Sequence, residues 1–145
     1  MKTRLFALAV LALMVLAACQ SAADEKLHIE DAWGRPSPMM AKAGAFYMHV
    51  HNPTDVADKL TGARSEACGI MEVHETKDDG TGMLVMSPVS SIDVPAQGDV
   101  ELKPGGYHIM CIDKKDSFVV GAKLSVTVTF EKAGEITVEA EIKDE

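Results

Sequence analysis

Apolar and polar positions alternate with a period of two along most of this chain, the pattern of half-buried strands. Leu124, Val126, Val128 and Phe130 alternate with Ser125, Thr127 and Thr129. Ile136, Val138, Ala140 and Ile142 alternate with Thr137, Glu139 and Glu141. Earlier, Phe46, Met48 and Val50 interleave with Tyr47, His49 and His51, and Met71 and Val73 with Glu72 and His74. Leu27, Ile29 and Trp33 open a further strand. Turn signals separate these runs at Asn52-Pro53, Asp79-Gly80, Pro95 to Gly98, Pro104-Gly105-Gly106 and Lys132 to Gly134. No window beyond the N-terminal leader keeps helical spacing. Short strands punctuated in this way predict one all-β domain, an antiparallel Greek-key sandwich or barrel.

The first residues follow a different pattern. Lys2 and Arg4 precede an apolar run from Leu5 to Leu16, too short to span a bilayer comfortably. Leu16-Ala17-Ala18-Cys19 follows and looks like a bacterial lipobox, with Cys19 lipidated as the mature N-terminus. The alternative is an ordinary signal peptide cut after Ala18 or Ala23. The expected organisation is therefore a lipoprotein signal peptide over 1–18, a small polar tether over 19–26 and a β domain over 27–145. Gln20 after the cysteine, by resemblance to enterobacterial sorting, favours the outer over the inner membrane.

Charge narrows the partners. The whole chain carries a formal net charge of −8; without Lys2 and Arg4, 12 basic side chains face 22 acidic ones, giving −10. Such a domain has no electrostatic reason to seek nucleic acid or anionic lipid, and would attract cations or a basic surface. Cys68 and Cys111 remain after export, open between a disulfide and two small buried thiols.

The chemistry concentrates in Pro104-Gly105-Gly106-Tyr107-His108-Ile109-Met110-Cys111. After the turn, Tyr107, Ile109 and Cys111 belong to one strand face, the expected core face, and His108 and Met110 to the other. A thioether beside an imidazole on a face expected to be wet points to a soft metal ion. Upstream, His74 and Met86 are the further candidates. His49 and His51 also share a face but read as solvated strand positions, and His28 has no sequence partner. Met39-Met40 reads as a mobile loop.

With these residues in place, the chain resembles the periplasmic copper chaperones called PCu(A)C. Their pattern is a histidine, ten residues, a methionine, twenty-one residues, then His-x-Met. Here His74 precedes Met86 by eleven intervening residues, Met86 precedes His108 by twenty-one, and Met110 completes His-x-Met. The extra residue falls in a segment that also holds Met83, the competing methionine. Asp31-Ala32-Trp33, Ala45-Phe46-Tyr47-Met48, Asp58-Lys59-Leu60, Glu72-Val73-His74-Glu75 and Pro104-Gly105-Gly106 also look like family landmarks.

The resemblance implies a cupredoxin-like domain holding one Cu(I) on His74, Met86, His108 and Met110, with no catalytic residues. It implies delivery by ligand exchange to the dinuclear copper centre of a haem–copper oxidase, alongside a Sco-type thiol protein, in the periplasm. The donor types agree independently: neutral imidazoles and thioethers suit Cu(I) and poorly suit Zn(II), Mg(II) or Ca(II). Three rivals stand beside this reading. One is copper storage or tolerance with the same site. Another is blue-copper electron transfer, which needs a cysteine thiolate in the ligand set. The third is a metal-free adhesion or assembly module.

Overall fold

The structure, a computed structural model, describes residues 26–38 and 40–144. The leader, Cys19, most of the tether and Met39 lie outside the described residues.

Ten strands follow in chain order: β1 His28–Gly34, β2 Ala43–Asn52, β3 Asp58–Arg64, β4 Cys68–Asp78, β5 Leu84–Pro88, β6 Ile92–Val94, β7 Gly98–Leu102, β8 Tyr107–Lys114, β9 Lys123–Phe130 and β10 Gly134–Ile142. Among the described residues there is no helix. The strands hydrogen-bond in the order β5-β4-β8-β2-β1-β10-β9-β3-β6, with β7 joining β2 as well. Pairing is antiparallel except between β1 and β10, which run parallel through Trp33↔Glu141 and Gly34↔Ile142. That contact demands a bare backbone at position 34, since a Cβ there would meet Ile142 Cδ1 at 2.6 Å.

The continuous sheet wraps around one core. Phe46 and Val50 of β2, Leu60 of β3, Ile109 of β8, Val126 and Val128 of β9 and Ile142 of β10 are fully buried in the same cluster. Each such side chain contributes about 1.5–3 kcal/mol by leaving water, so the alternation read from the sequence selects the inner face. The disulfide of Cys68 and Cys111, with Cα atoms 5.5 Å apart, ties β4 to β8 inside this core. It decides between the two states that the sequence leaves open.

The long strand β2 organises the site. Its first half pairs with β8 (Phe46↔Ile109) and its second half with β7 (Met48↔Leu102). Between these two registers β2 spends only Tyr47, whereas the partner chain makes the excursion through Lys103, Pro104, Gly105, Gly106, Tyr107 and His108. The excursion closes through Gly106 N–H to Lys103 O at 3.0 Å and Lys103 N–H to Tyr107 O at 2.8 Å. Gly105 sits at φ +79°, a conformation that costs glycine little and other residues much. Turn chemistry visible in the sequence thus delivers His108 to the start of β8, beside Tyr47.

Candidate metal centre

The pairing of β4 with β8 sets His74 opposite His108 and Glu72 opposite Met110. The pairing of β4 with β5 sets Thr76 opposite Met86 and Pro88 opposite His74. Directly paired residues share a sheet face, and so do residues two apart. His74, Met86, His108 and Met110 therefore occupy one face of the three adjacent strands β5, β4 and β8. Met83 lies in the turn before β5, where its carbonyl accepts the Asp79 N–H, and it is not on this face by register.

The face differs from the expected wet one. His108 is 3 % exposed and His74 is 8 % exposed. The cause is lateral cover: the two imidazole centroids are 5.7 Å apart, and the Tyr47 ring lies 6.2 Å from that of His108. The methionines are more open, with Met86 half exposed on the edge strand and Met110 partly buried. Both methionines line one concavity of about 230 Å³ with Arg35, Tyr47 and Ala45. The structure thus lines one surface depression with both methionines and sets the imidazoles as a buried pair on the same face.

Each imidazole has one nitrogen held and one free. His74 Nε2–H donates to Glu72 Oε2 at 2.9 Å, which leaves Nδ1 buried with no protein partner. His108 Nδ1–H donates to the Gly106 carbonyl at 3.1 Å, which leaves Nε2 in the same condition. The Gly106 carbonyl also accepts the Thr76 N–H at 3.0 Å, so the acceptor that orients His108 is itself fixed to β4. An unpaired buried polar atom costs about 1–3 kcal/mol. Two of them on neighbouring rings, each in the tautomer set by its outer hydrogen bond, have the chemistry to bind a metal ion. Burial pushes the His108 pKa down, the neighbouring His74 pushes the same way, and the Gly106 hydrogen bond opposes both. The net effect keeps His108 neutral, with its Nε2 lone pair available.

Sequence reasoning named the four candidate donors but not the groups around them. Tyr47 became legible only through tertiary pairing, and the roles of Glu72 and the Gly106 carbonyl only through the side-chain geometry. The single advance signal was Glu72 two residues before His74, a spacing that puts both on one strand face. Cys111 is excluded from any ligand set with these residues because the disulfide consumes its thiol inside the core. The blue-copper alternative thereby loses its thiolate.

Comparison with known proteins follows the same lines. The profile of a family described as "Putative lipoprotein LpqE-like" matches residues 27–142. The chain is 32% identical over 85 residues to "Putative lipoprotein Lxx21020" of Leifsonia xyli subsp. xyli, covering 59% of this chain and 51% of that protein. It is 26% identical over 117 residues to "Uncharacterized protein RP573" of Rickettsia prowazekii, covering 75% and 62% respectively. The chain matches between half and two thirds of the length of these curated relatives.

Among solved structures, the apo PCuAC domain from PmoF1 superposes with a TM-score of 0.68 at 31% identity, covering 83% of this chain and 96% of that one. The copper-bound PCuAC domain from PmoF2 gives 0.70 at 28% identity, covering 83% and 95%. The solution structure of CuI-DR1885 from Deinococcus radiodurans gives 0.67 at 26% identity, covering 87% and 85%. The profile match over the whole β domain, the all-β cupredoxin-like fold and the likeness to the PmoF1 domain lead to one assignment: the chain belongs to the LpqE-like family, and its β domain is a PCuAC domain.

Proposed function

We propose that this protein is a copper carrier of the bacterial envelope that binds one Cu(I) on His74, Met86, His108 and Met110 and hands it to an acceptor. The observation that carries the reading is the pair of buried imidazoles with orphaned Nδ1 and Nε2, on the face that also presents two thioethers. Likeness to copper-bound PCuAC domains supports it. Two imidazoles and two thioethers are all neutral donors, and sulfur softness selects Cu(I) over Zn(II) and harder ions. Sharing a sheet face with His74 and His108 favours Met86 over Met83 as the fourth donor.

The geometry also suits transfer. The imidazoles are buried and held by outer hydrogen bonds, whereas Met86 stands on the exposed edge strand. A thioether is the weaker and more accessible donor, so an incoming thiolate or imidazole displaces Met86 or Met110 first, and the histidines release the ion last. The cargo moves without bond-making chemistry, so the protein acts as a binding protein and not as an enzyme.

The acceptor in this reading is the dinuclear copper centre of a haem–copper oxidase, with a Sco-type thiol protein as a co-worker. Lipidation at Cys19 tethers the carrier to the envelope membrane, the outer one by the residue that follows. The lipoprotein names of the family and of one relative support the anchor. Storage or tolerance would use the same ligands and differs only in the fate of the ion.

Anaerobic Cu(I) titration against a competing chelator, with single alanine variants at the four ligands, tests the site. One Cu(I) per chain, weakened by each of the four substitutions, is the expected result. Transfer to a purified oxidase copper-centre domain, compared with growth under copper stress after deletion, separates delivery from tolerance. Metabolic labelling with palmitate in wild type and Cys19→Ala tests the anchor.

A further inference from the structure

The depression lined by Met86 and Met110 has a second wall of opposite character. Arg35, an exposed side chain, and Tyr47 line it too, and Arg35 alone among the described lining residues carries a charge. Sheet registry explains the placement. The Arg35 N–H donates to the Ala45 carbonyl at 3.1 Å, and Ala45 pairs with Met110. Arg35, Ala45 and Met110 thus lie in one cross-strand row. Strands about 4.8 Å apart set the Arg35 and Met110 backbones roughly 10 Å apart. Between them stands only the methyl of Ala45, so the gap stays open as the depression.

The Arg35 wall is firmly built and electrically uncompensated. Lys114 Nζ donates to the carbonyls of Ser37 and Pro38 at 2.8 Å, and the Ser37 hydroxyl donates to the Ala43 carbonyl at 2.9 Å. These bonds fix the loop that follows Arg35. The guanidinium lies 5.9 Å from the centre of the Tyr47 ring. Burial pushes the Tyr47 phenol up and the Arg35 charge opposes it, so the field of the guanidinium reaches this wall. Elsewhere, Arg64 forks onto Glu135, and Lys77 and Lys103 each hold a carboxylate. Among the described residues no carboxylate pairs with Arg35, and nothing accepts a hydrogen bond from the Tyr47 hydroxyl. A chain with 22 acidic and 14 basic side chains thus leaves a guanidinium without a counter-ion beside two thioethers. The planar fork of arginine matches a carboxylate.

We propose that copper leaves through this depression, and that the depression takes an acceptor protein segment carrying a carboxylate beside its soft donor, selected by Arg35. The inference rests on the copper-carrier reading of His74, Met86, His108 and Met110 and adds the chemistry of the partner. The acceptor's thiolate meets the thioethers, the groups displaced first, while its carboxylate meets the guanidinium across the methyl of Ala45. In the exchange a copper–thiolate bond forms as a copper–thioether bond breaks, the ion stays Cu(I), and the thiol proton goes to solvent. Net charge alone predicts the opposite preference. A chain of formal charge −8 repels acidic segments at long range, so a preference for a carboxylate has to come from a local cation. Complementarity of this kind sets partner choice and encounter rate more than affinity.

The test uses two synthetic peptides that share a Cys-x-x-Cys pair and differ only in Asp or Asn beside each cysteine. The full chain is loaded with Cu(I), its loading is measured, and anaerobic transfer to each peptide is followed by stopped flow. Wild type is expected to transfer roughly 2- to 5-fold faster to the Asp peptide at low salt, the range of an exposed ion pair. High salt should shrink the advantage. Arg35→Gln should abolish or reverse it while leaving Cu(I) affinity near wild type, and Arg35→Lys, with the charge but not the fork, should keep part of it. Equal or faster transfer to the Asn peptide by loaded wild type overturns this inference alone. So does an advantage that survives Arg35→Gln. A chain that takes up no Cu(I) overturns the carrier reading, and this inference with it.

Discussion

Glu72 Oε2 accepts the Nε2–H of His74 at 2.9 Å, and this contact decides which nitrogen of His74 faces the site. The carboxylate comes from the same strand, two residues earlier, so the orientation is built into β4 before any partner packs on it.

Removing that acceptor should weaken Cu(I) binding without touching a ligand. Outer hydrogen-bond partners of metal-bound histidines typically account for 10–100-fold in affinity. Glu72→Ala is therefore expected to lose about 10-fold in Cu(I) affinity, and Glu72→Gln, whose amide oxygen still accepts, appreciably less. Competition with a Cu(I) chelator measures both. Equal affinities in all three proteins would mean that His74 needs no such support.

The Cu(I) centre should tolerate loss of both thiols while the fold does not. Cys68→Ser/Cys111→Ser removes a core crosslink between β4 and β8 that spans 43 residues of sequence. A native disulfide of this kind contributes about 2–5 kcal/mol, so a clear fall in the denaturation midpoint is expected. Cu(I) affinity measured below that midpoint should stay near wild type, because the proposed ligand set contains no thiolate. A large affinity loss in a folded variant would bring cysteine sulfur into the copper site.

Asp58 should act as a buried staple with a defined acid limit. Its carboxylate accepts backbone N–H groups from Lys59, Lys132 and Ala133 at 2.7–2.9 Å, fastening β3 to the β9–β10 turn. Burial pulls its pKa up, but the three N–H groups and the charge of Lys132 outweigh burial and hold it below the ordinary aspartate value. A depressed carboxyl gives stability that is present above the unfolded pKa of ~3.9 and is lost as pH falls through the lower folded value. Asp58→Ala should cost about 1–3 kcal/mol at neutral pH by stranding those donors. It should also remove part of the acid dependence seen in urea melts below pH 4.

Proton competition at the copper site should begin at lower pH than for a free imidazole. Burial holds the His108 pKa below its usual ~6.5. Since only neutral histidine binds metal, its contribution to Cu(I) affinity should stay flat through pH 6.5 and fall below it. His108→Met, if folded, should flatten the acid limb, whereas Met110→His should steepen it and admit Zn(II) or Cu(II) more readily. Cu(I) affinities from pH 5 to 8 for the three proteins check this. Identical slopes would remove His108 from the ligand set.

Much of the molecule is legible in local sequence because strand burial and turn chemistry are local. The alternation from Leu124 to Phe130 and from Ile136 to Ile142 announces β9 and β10, and Pro104-Gly105-Gly106 announces the turn that introduces His108. The spacing of His74, Met86, His108 and Met110 carries the resemblance that led to the domain family. What the sequence could not determine is everything that depends on which strands lie side by side. The parallel β1–β10 pair, the Cys68–Cys111 disulfide and the opposition of His74 to His108 each join residues far apart in the chain. The expected wet face of His108 failed for the same reason. A period-two pattern says which side chains share a face, but only lateral packing by His74 and Tyr47 decides that this face is closed to water. Local chemistry thus supplied the candidate donors and the acceptors two residues before each histidine that orient it, and sheet registry decided how deeply they lie and what stands beside them.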